Sequence, residues 1–170
     1  MLVEPIIPPV LWGVVVGSGP WQEQLDNSKN TFTSQFDHRL RFINAFPFTL
    51  TPDQYVNQLF ANAGITPTSA ELATAIGEFS KQDGADHRAR ALRDVVENPR
   101  FIQQENSRAF VLMQYFGYLH RNPNDPSDTD YTGYDFWLSK LNQFNGNFIN
   151  AEMVKAFISS TEYRQRFGQP

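Results

Sequence analysis

Residues 51–60 read TPDQYVNQLF and predict the start of a helix. Thr51 occupies the N-cap position, a proline follows at the first helical position, and Gln54 stands where a capping box needs it. Thr68 and Glu71 repeat the same spacing and predict a second helix start. Apolar residues follow both starts at intervals of three and four, the pattern of a helix with one buried face.

The same helical spacing continues along the rest of the chain. It predicts further helices at about residues 87–97 and 134–144, and a last helix capped by Asn150. Asn98 and Pro99 predict another cap-plus-proline start, which leads into Phe101 and then into the long apolar stretch 109–119. No segment shows the sustained alternation of a half-buried strand, so we expect an all-α fold. The longest apolar stripe, which Pro47 ends, consists of Trp21, Leu25, Phe32, Phe36, Leu40, Ile43 and Phe46.

Two stretches of the chain share one helical plan. Apolar residues near the end of the first stretch match those near the end of the second at one constant offset. We predict a single all-α domain over residues 21–170, built from two divergent helical repeats at about 51–104 and 107–168. Helical repeats of this kind usually offer a packing surface rather than a catalytic pocket. The matched residues are Leu92, Val95, Val96 and Phe101 with Val154, Phe157, Ile158 and Tyr163.

Residues 1–20 differ from the rest because prolines interrupt an apolar run. Pro5, Pro8 and Pro9 exclude a helix of the roughly 20 residues needed to cross a bilayer. The charged residue in this segment is the acidic Glu4, whereas a signal peptide begins with a basic region. We predict an extended apolar arm and no membrane span. The arm either packs on the domain's own helices or joins them to a preceding domain of a longer chain.

The composition of the 170 residues excludes several classes of function. The chain has no cysteine, which excludes a disulfide framework and a thiolate site. A formal net charge of −4, from 14 basic and 18 acidic side chains, argues against nucleic-acid binding, which needs a basic surplus. The histidines His38, His87 and His120 lie too far apart for a zinc motif. We therefore predict no catalytic residues and no enzymatic activity.

A loop in the second repeat unit carries a candidate metal site. Asp128, Asp130 and Thr132 place oxygen ligands at alternate positions before Gly133, as the first half of an EF-hand calcium loop does. The twelfth position holds Ser139, however, and not the bidentate glutamate that such a site uses. The alternative is a solvated turn whose aspartates cap the following helix. No cofactor other than calcium is expected.

Three tyrosines around this loop form a candidate ligand-binding surface: Tyr118, Tyr131 and Tyr134. Tyrosine rings stack on sugars and donate hydrogen bonds to them, but they also anchor protein interfaces. The exposure and mutual orientation of the three rings decide between sugar binding and a protein interface.

Charged side chains also interrupt the apolar helix that precedes the loop. Charged residues in such a stretch are generally paired. We expect Glu105 and Arg108, near Arg121, to form a buried or half-buried ion pair with a structural role.

The second repeat unit resembles a known bacterial family. Residues 108–123 (RAFVLMQYFGYLHRNP), 133–138 (GYDFWL) and 154–163 (VKAFISSTEY) follow the outline of the domain-of-unknown-function 4214 family, found in C-terminal regions of large exported proteins from acidobacteria-like bacteria. That outline is an apolar-Tyr helix, Leu-Gly-Arg-x-Pro, Gly-x-x-x-Trp and Phe-x-x-Ser-x-Glu-Tyr. The chain departs from it at 118–121, where Tyr-Leu-His-Arg replaces Leu-Gly-Arg, and in a longer loop. The first repeat unit is more divergent.

The resemblance implies an all-helical module that is extracellular or on the cell surface, with no established reaction and no catalytic residues. We therefore expect a non-enzymatic structural or interaction module of an exported or cell-surface protein, which attaches to a protein or to the cell envelope. The alternative is a carbohydrate- or calcium-binding module that uses the loop at 122–135.

Overall fold

The computed structural model describes residues 13–81 and 86–168. These residues form nine α-helices, a 3-10 turn and a π turn, without a strand, which confirms the all-α prediction. The elements are α1 Trp21–Asp37, α2 Leu40–Ala45, α3 Pro52–Ala63, α4 Ser69–Gly77, the 3-10 turn Glu78–Ser80, α5 His87–Val96, α6 Pro99–Gln114, the π turn Tyr115–Leu119, α7 Thr132–Gln143, α8 Met153–Ile158 and α9 Thr161–Phe167.

Local sequence signals place most helix starts correctly. Thr51 and Thr68 both form complete capping boxes, with Gln54 and Glu71. The predicted cap at Asn150 is wrong, because α8 begins only at Met153. The Asn147 side chain instead accepts hydrogen bonds from the backbone N–H groups of Ile149 and Asn150.

The first predicted stripe is divided between two helices. α1 ends at Asp37, and Arg39 adopts an extended conformation before α2 begins. Apolar periodicity continues across the break, so the stripe alone does not reveal it. The break leaves Asp37 at a helix end with no solvent exposure.

The chain separates into two compact units within the region where the sequence predicted one domain: residues 1–101 (unit 1) and 102–170 (unit 2). Each unit has its own hydrophobic core. The boundary lies close to the end predicted for the first repeat unit, and the repeat itself stays a prediction. The buried cores are Phe46, Tyr55, Val56, Leu59, Phe60, Ala75, Ala91, Leu92 and Val95 in unit 1, and Val111, Tyr115, Leu119, Leu141, Ala151, Met153 and Phe157 in unit 2.

The predicted N-terminal arm lies largely outside the described residues, which begin at Gly13. In the described part, Val15 and Val16 are 63% and 72% exposed. The expected packing of these two side chains against the protein's own helices is therefore not seen. Among the described residues, no helix combines the length and the apolar character that a bilayer crossing requires.

A buried ion pair joins three parts of unit 1. Arg88 on α5 donates from Nε to both carboxylate oxygens of Asp37, at 3.2 and 3.1 Å, and from Nη2 to the Phe46 carbonyl at 2.9 Å. The guanidinium lies 4.0 Å from the ring centre of Tyr55, whose hydroxyl donates to Asp37 at 3.0 Å. Every charged group here has a partner, which is the condition for burying charge at tolerable cost.

The other arginines of α5 also reach beyond their own helix. Arg93 pairs with Asp26 on α1 and with Glu97, while Arg90 pairs with Glu78. α5 therefore contributes its basic residues to contacts with neighbouring segments, in addition to pairs along its own face.

Removing the buried guanidinium should destabilise unit 1 strongly. Arg88→Met leaves the buried carboxylate of Asp37 without its counter-ion, and we expect a loss of about 3–5 kcal/mol in the free energy of unfolding. The matched control, Arg108→Met, removes an exposed ion pair and should cost at most about 1 kcal/mol. Urea titrations followed by circular dichroism measure both values. Equal losses in the two variants would contradict the structural role of Arg88.

Glu71 makes the stability of unit 1 depend on pH. Hydrogen bonds from the backbone and side chain of Thr68, and then from Asn98 and Arg100, lower the pKa of Glu71 to about 2. The carboxylate therefore contributes stability that is fully present above its ordinary pKa of 4.5 and is lost as the pH falls towards 2. We expect Glu71→Gln to lower the urea midpoint at pH 7 and to approach the wild type as the pH falls through this window. A constant difference down to the lowest pH would show that the charge of Glu71 is unimportant.

Candidate functional site

The most connected polar group of unit 2 is the guanidinium of Arg121, which is 8% exposed. It donates from Nε and Nη2 to the two carboxylate oxygens of Glu162 on α9, at 2.7 and 3.0 Å. Nη2 also donates to Asp128 at 2.8 Å. Its remaining nitrogen, Nη1, donates to the backbone carbonyls of Asn122, Pro123 and Asp125, at 2.9, 3.2 and 3.1 Å.

These contacts use all five N–H groups of the guanidinium. The hydrogen bonds to Glu162 and Asp128 raise the pKa of Arg121, against the opposing effect of burial. Arg121 is thus a permanently charged clasp that holds the following loop to α9. It has no free donor for an anionic ligand.

Two aromatic rings pack next to this clasp. The Arg121 guanidinium lies 5.2 Å from the ring centre of Tyr115, and that ring meets Phe157 edge to face at 5.2 Å. Tyr115 starts the π turn that interrupts the regular hydrogen bonding after α6. Such turns occur frequently at functional sites, which makes this region the first place to look for one.

A cavity of about 270 Å³ opens between these groups. It lies entirely in unit 2, and it contains both charged and aromatic walls. Its lining residues are Tyr115, Leu119, Arg121, Ser127, Asp128, Gly133, Trp137, Ala156, Phe157, Ser160 and Glu162.

The residues that carry the family resemblance converge on this cavity. Arg121 and Glu162 form the clasp, and Gly133 and Trp137 both line the cavity. Ser160 caps α9 by accepting from the backbone N–H of residue 163 at 3.1 Å. The spacing of these motifs therefore has a structural reason in this chain, while membership of the family stays a prediction.

The two aspartates among the predicted calcium ligands of the acidic loop are engaged in contacts within the protein. Asp128 is paired with Arg121, and Asp130 accepts from the backbone N–H of Thr132 at 2.8 Å. That hydrogen bond lowers the pKa of Asp130. Both aspartates thus stabilise the loop and the start of α7, and calcium binding by Asp128, Asp130 and Thr132 stays a prediction without support from this geometry.

The predicted tyrosine surface is divided into two contacts. Tyr131 is 50% exposed and meets Tyr134 at 6.1 Å with the two rings at 89°. Tyr118 is half-buried against Tyr163 instead. Tyr134 is also half-buried, and its hydroxyl donates to the Arg108 carbonyl. Perpendicular and partly buried rings do not form the flat platform on which a sugar stacks.

The ion pair expected in α6 forms, but it is half-exposed rather than buried, and Arg121 is not part of it. Glu105 and Arg108 do pair, but their side chains are 43% and 49% exposed. Arg121 takes its partners from α9 and the loop, which lie far along the sequence. Sequence proximity to the apolar stretch was a misleading signal because it does not specify which helix face the charges occupy.

Among the described residues, one group of three side chains brings potential metal ligands within 4.8 Å of one another: Asp37, His38 and Asp86. Sequence reasoning missed it, since no motif spacing connects the three. Asp37 already accepts from Arg88, and Asp86 accepts from Ser34 and caps α5. The carboxylates are thus engaged in structural hydrogen bonds, and the arginine supplies the positive charge that a metal would otherwise provide.

A second cavity, of about 340 Å³, lies in unit 1 between α1 and α5. Phe32 and Phe36 on α1 face Leu92 and Val96 on α5 there. Its polar neighbours are already paired, as in the 2.6 Å contact between the Lys29 ammonium and Glu97. The cavity has the character of an apolar groove.

Comparison of the chain with known proteins finds no matching family model, no matching curated protein and no matching solved structure.

Gly133 lines the cavity next to the Tyr115 hydroxyl. A Cβ at this position would lie 2.9 Å from the Tyr115 hydroxyl oxygen, so Gly133→Ala should cost about 1–3 kcal/mol by overpacking. Tyr115→Phe removes the clashing atom, and the double variant should regain most of the loss. Thermal and urea unfolding of the wild type, the two single variants and the double variant give the four free energies of unfolding that this comparison needs.

Gly117→Ala is the matched control, because a Cβ there meets nothing within 4 Å. We expect it to be neutral or stabilising by up to about 1 kcal/mol. If Gly133→Ala were equally tolerated, or if Tyr115→Phe gave no rescue, the tight contact at the cavity wall would be disproved.

Proposed function

We propose that this chain is a non-enzymatic interaction module of an exported or cell-surface bacterial protein, and that the exposed face of α6 and the π turn docks a protein partner. The exported location rests on the family resemblance alone. The docking face rests on the distribution of polar and apolar side chains around α6.

Apolar side chains form an exposed row along this segment. Ile102, Met113 and Phe116 are 44%, 63% and 48% exposed, and Ala109 is exposed between them. At 100° per residue, the three positions in α6, 102, 109 and 113, fall within an arc of roughly 40° on one helix face, and Phe116 follows in the π turn. Apolar residues on one continuous helix face are what a partner's hydrophobic groove recognises.

The opposite side of α6 carries the single observation that supports the proposal most strongly. Ser107 and Gln114 are each only 5% exposed, while the apolar row faces solvent. The side-chain amide oxygen of Gln114, Oε1, has no hydrogen-bond partner among the described residues. The core side of α6 thus buries these two polar side chains beside Val111, while Met113 faces solvent, and this outward apolar row favours a second, external contact.

The test replaces the exposed row with charge. We expect Met113→Glu/Phe116→Glu to reduce capture of the partner from the envelope fraction of the source bacterium at least about tenfold, a change of roughly 1.4 kcal/mol in binding free energy. Both side chains are exposed, so the melting temperature should change little. Capture is quantified by mass spectrometry of proteins retained on the immobilised chain.

Lys155→Glu is the control variant, because it adds the same charge at a 77% exposed side chain on α8. It should retain the partner. Proteins retained equally by the wild type and the double variant would not depend on α6, and an absence of any protein lost selectively from the double variant would overturn the proposal.

A further inference from the structure

The two units contain similar buried clusters, but the tyrosine hydroxyl has a hydrogen-bond partner in only one of them. In each unit, an arginine guanidinium lies over a buried tyrosine ring and pairs with a carboxylate: Arg88 over Tyr55, and Arg121 over Tyr115. The Tyr55 hydroxyl donates to Asp37. The Tyr115 hydroxyl makes no hydrogen bond to the described residues, although the side chain as a whole is only 3% exposed.

The unpaired hydroxyl faces the unit 2 cavity. The point at which a Cβ would lie on Gly133 is 2.9 Å from the Tyr115 hydroxyl and 3.6 Å from Asp128 Oδ2. A glycine at this position therefore keeps open a space that both polar groups border. Burial, and then the nearby Asp128 carboxylate, raise the pKa of Tyr115 to about 12, so its hydroxyl remains a donor at neutral pH.

Other walls of the cavity offer both polar and apolar contacts. Ser127 lines it with a hydroxyl that has no partner among the described residues. Asp128 Oδ2, the oxygen nearest Gly133, already accepts from Arg121, and a carboxylate oxygen can accept a second hydrogen bond. The rings of Trp137 and Phe157, 5.6 Å apart, supply apolar surface. This combination of a few polar groups with aromatic walls is typical of small-molecule sites.

The charged side chains and the volume of the unit 2 cavity indicate which class of ligand it can hold. Two carboxylates, Asp128 and Glu162, disfavour an anion, and Arg121 has no free donor for one. The same guanidinium offsets one of these two negative charges, which weakens the attraction for a cation. The volume of about 270 Å³ lies just below the usual range of drug-sized sites, roughly 300–1,000 Å³, which suits a ligand of one sugar ring.

We propose that this cavity binds a neutral, polyhydroxylated molecule of monosaccharide size, with the Tyr115 hydroxyl and Asp128 as its hydrogen-bonding groups and Trp137 as its apolar wall. The ligand's hydroxyl groups both donate and accept, so they match a hydroxyl donor beside a carboxylate acceptor. The site lies beneath the loop and uses none of Tyr118, Tyr131 and Tyr134.

The test is a titration of the whole chain with D-glucose, D-galactose, D-mannose, N-acetyl-D-glucosamine and myo-inositol. Amide and indole NMR signals are followed up to about 50 mM ligand, which detects millimolar dissociation constants. We expect at least one of these molecules to shift the Gly133 amide and the Trp137 indole signals saturably. Tyr115→Phe should weaken that binding about tenfold without unfolding the protein, since the lost hydroxyl has no protein partner.

Ser127→Ala provides a second, exposed variant that should also weaken binding, and Tyr131→Phe is the control that should not. Absence of saturable shifts with all five probes, or equal affinity in wild type and Tyr115→Phe, would overturn the proposal. Met113→Glu/Phe116→Glu should leave sugar binding unchanged, because neither residue lines the cavity. Failure of this site is therefore distinguishable from failure of the α6 docking face.

Discussion

One buried guanidinium, that of Arg121, organises unit 2. Its bidentate contact with Glu162 connects the loop after the π turn to α9, and its contacts with three carbonyls fix the course of that loop. Because all its donors are used, the charge is buried without an unsatisfied group, the condition under which such a network gives rigidity. The loop in turn leads to Gly133 and α7, so the shape of the adjacent cavity depends on the same clasp.

Unit 1 also contains a buried arginine, with different hydrogen-bond partners. Arg88 lies over Tyr55 and binds Asp37, so an arginine, an aromatic ring and a carboxylate again connect helix ends to a loop. The tyrosine hydroxyl is satisfied there, whereas that of Tyr115 is left facing open space. The Tyr115 hydroxyl is therefore available to a ligand in the unit 2 cavity, whereas the Tyr55 hydroxyl is already engaged.

The relation between sequence and structure is clearest along α6. Its start after Asn98 was predicted from local chemistry, since a cap and a proline act within a few residues. The orientation of its faces was not, because Ser107 and Gln114 are buried while Met113 is exposed. Apolar periodicity assumes that hydrophobic residues face the core, and that assumption fails where a helix also carries an outward-facing apolar row. The candidate docking face was thus visible only in three dimensions.

The sequence by itself determined the all-α class and most helix starts, since caps, prolines and helical periodicity act over one or two turns. The motifs of the second repeat unit that resemble the bacterial family could also be identified from the sequence. Only the tertiary structure decided the division into two units, the pairing of Arg121 with Glu162, and the placement of Asp128 beside that pair rather than in a calcium loop. These contacts join residues distant along the chain, and their energies depend on burial and geometry that no local pattern encodes.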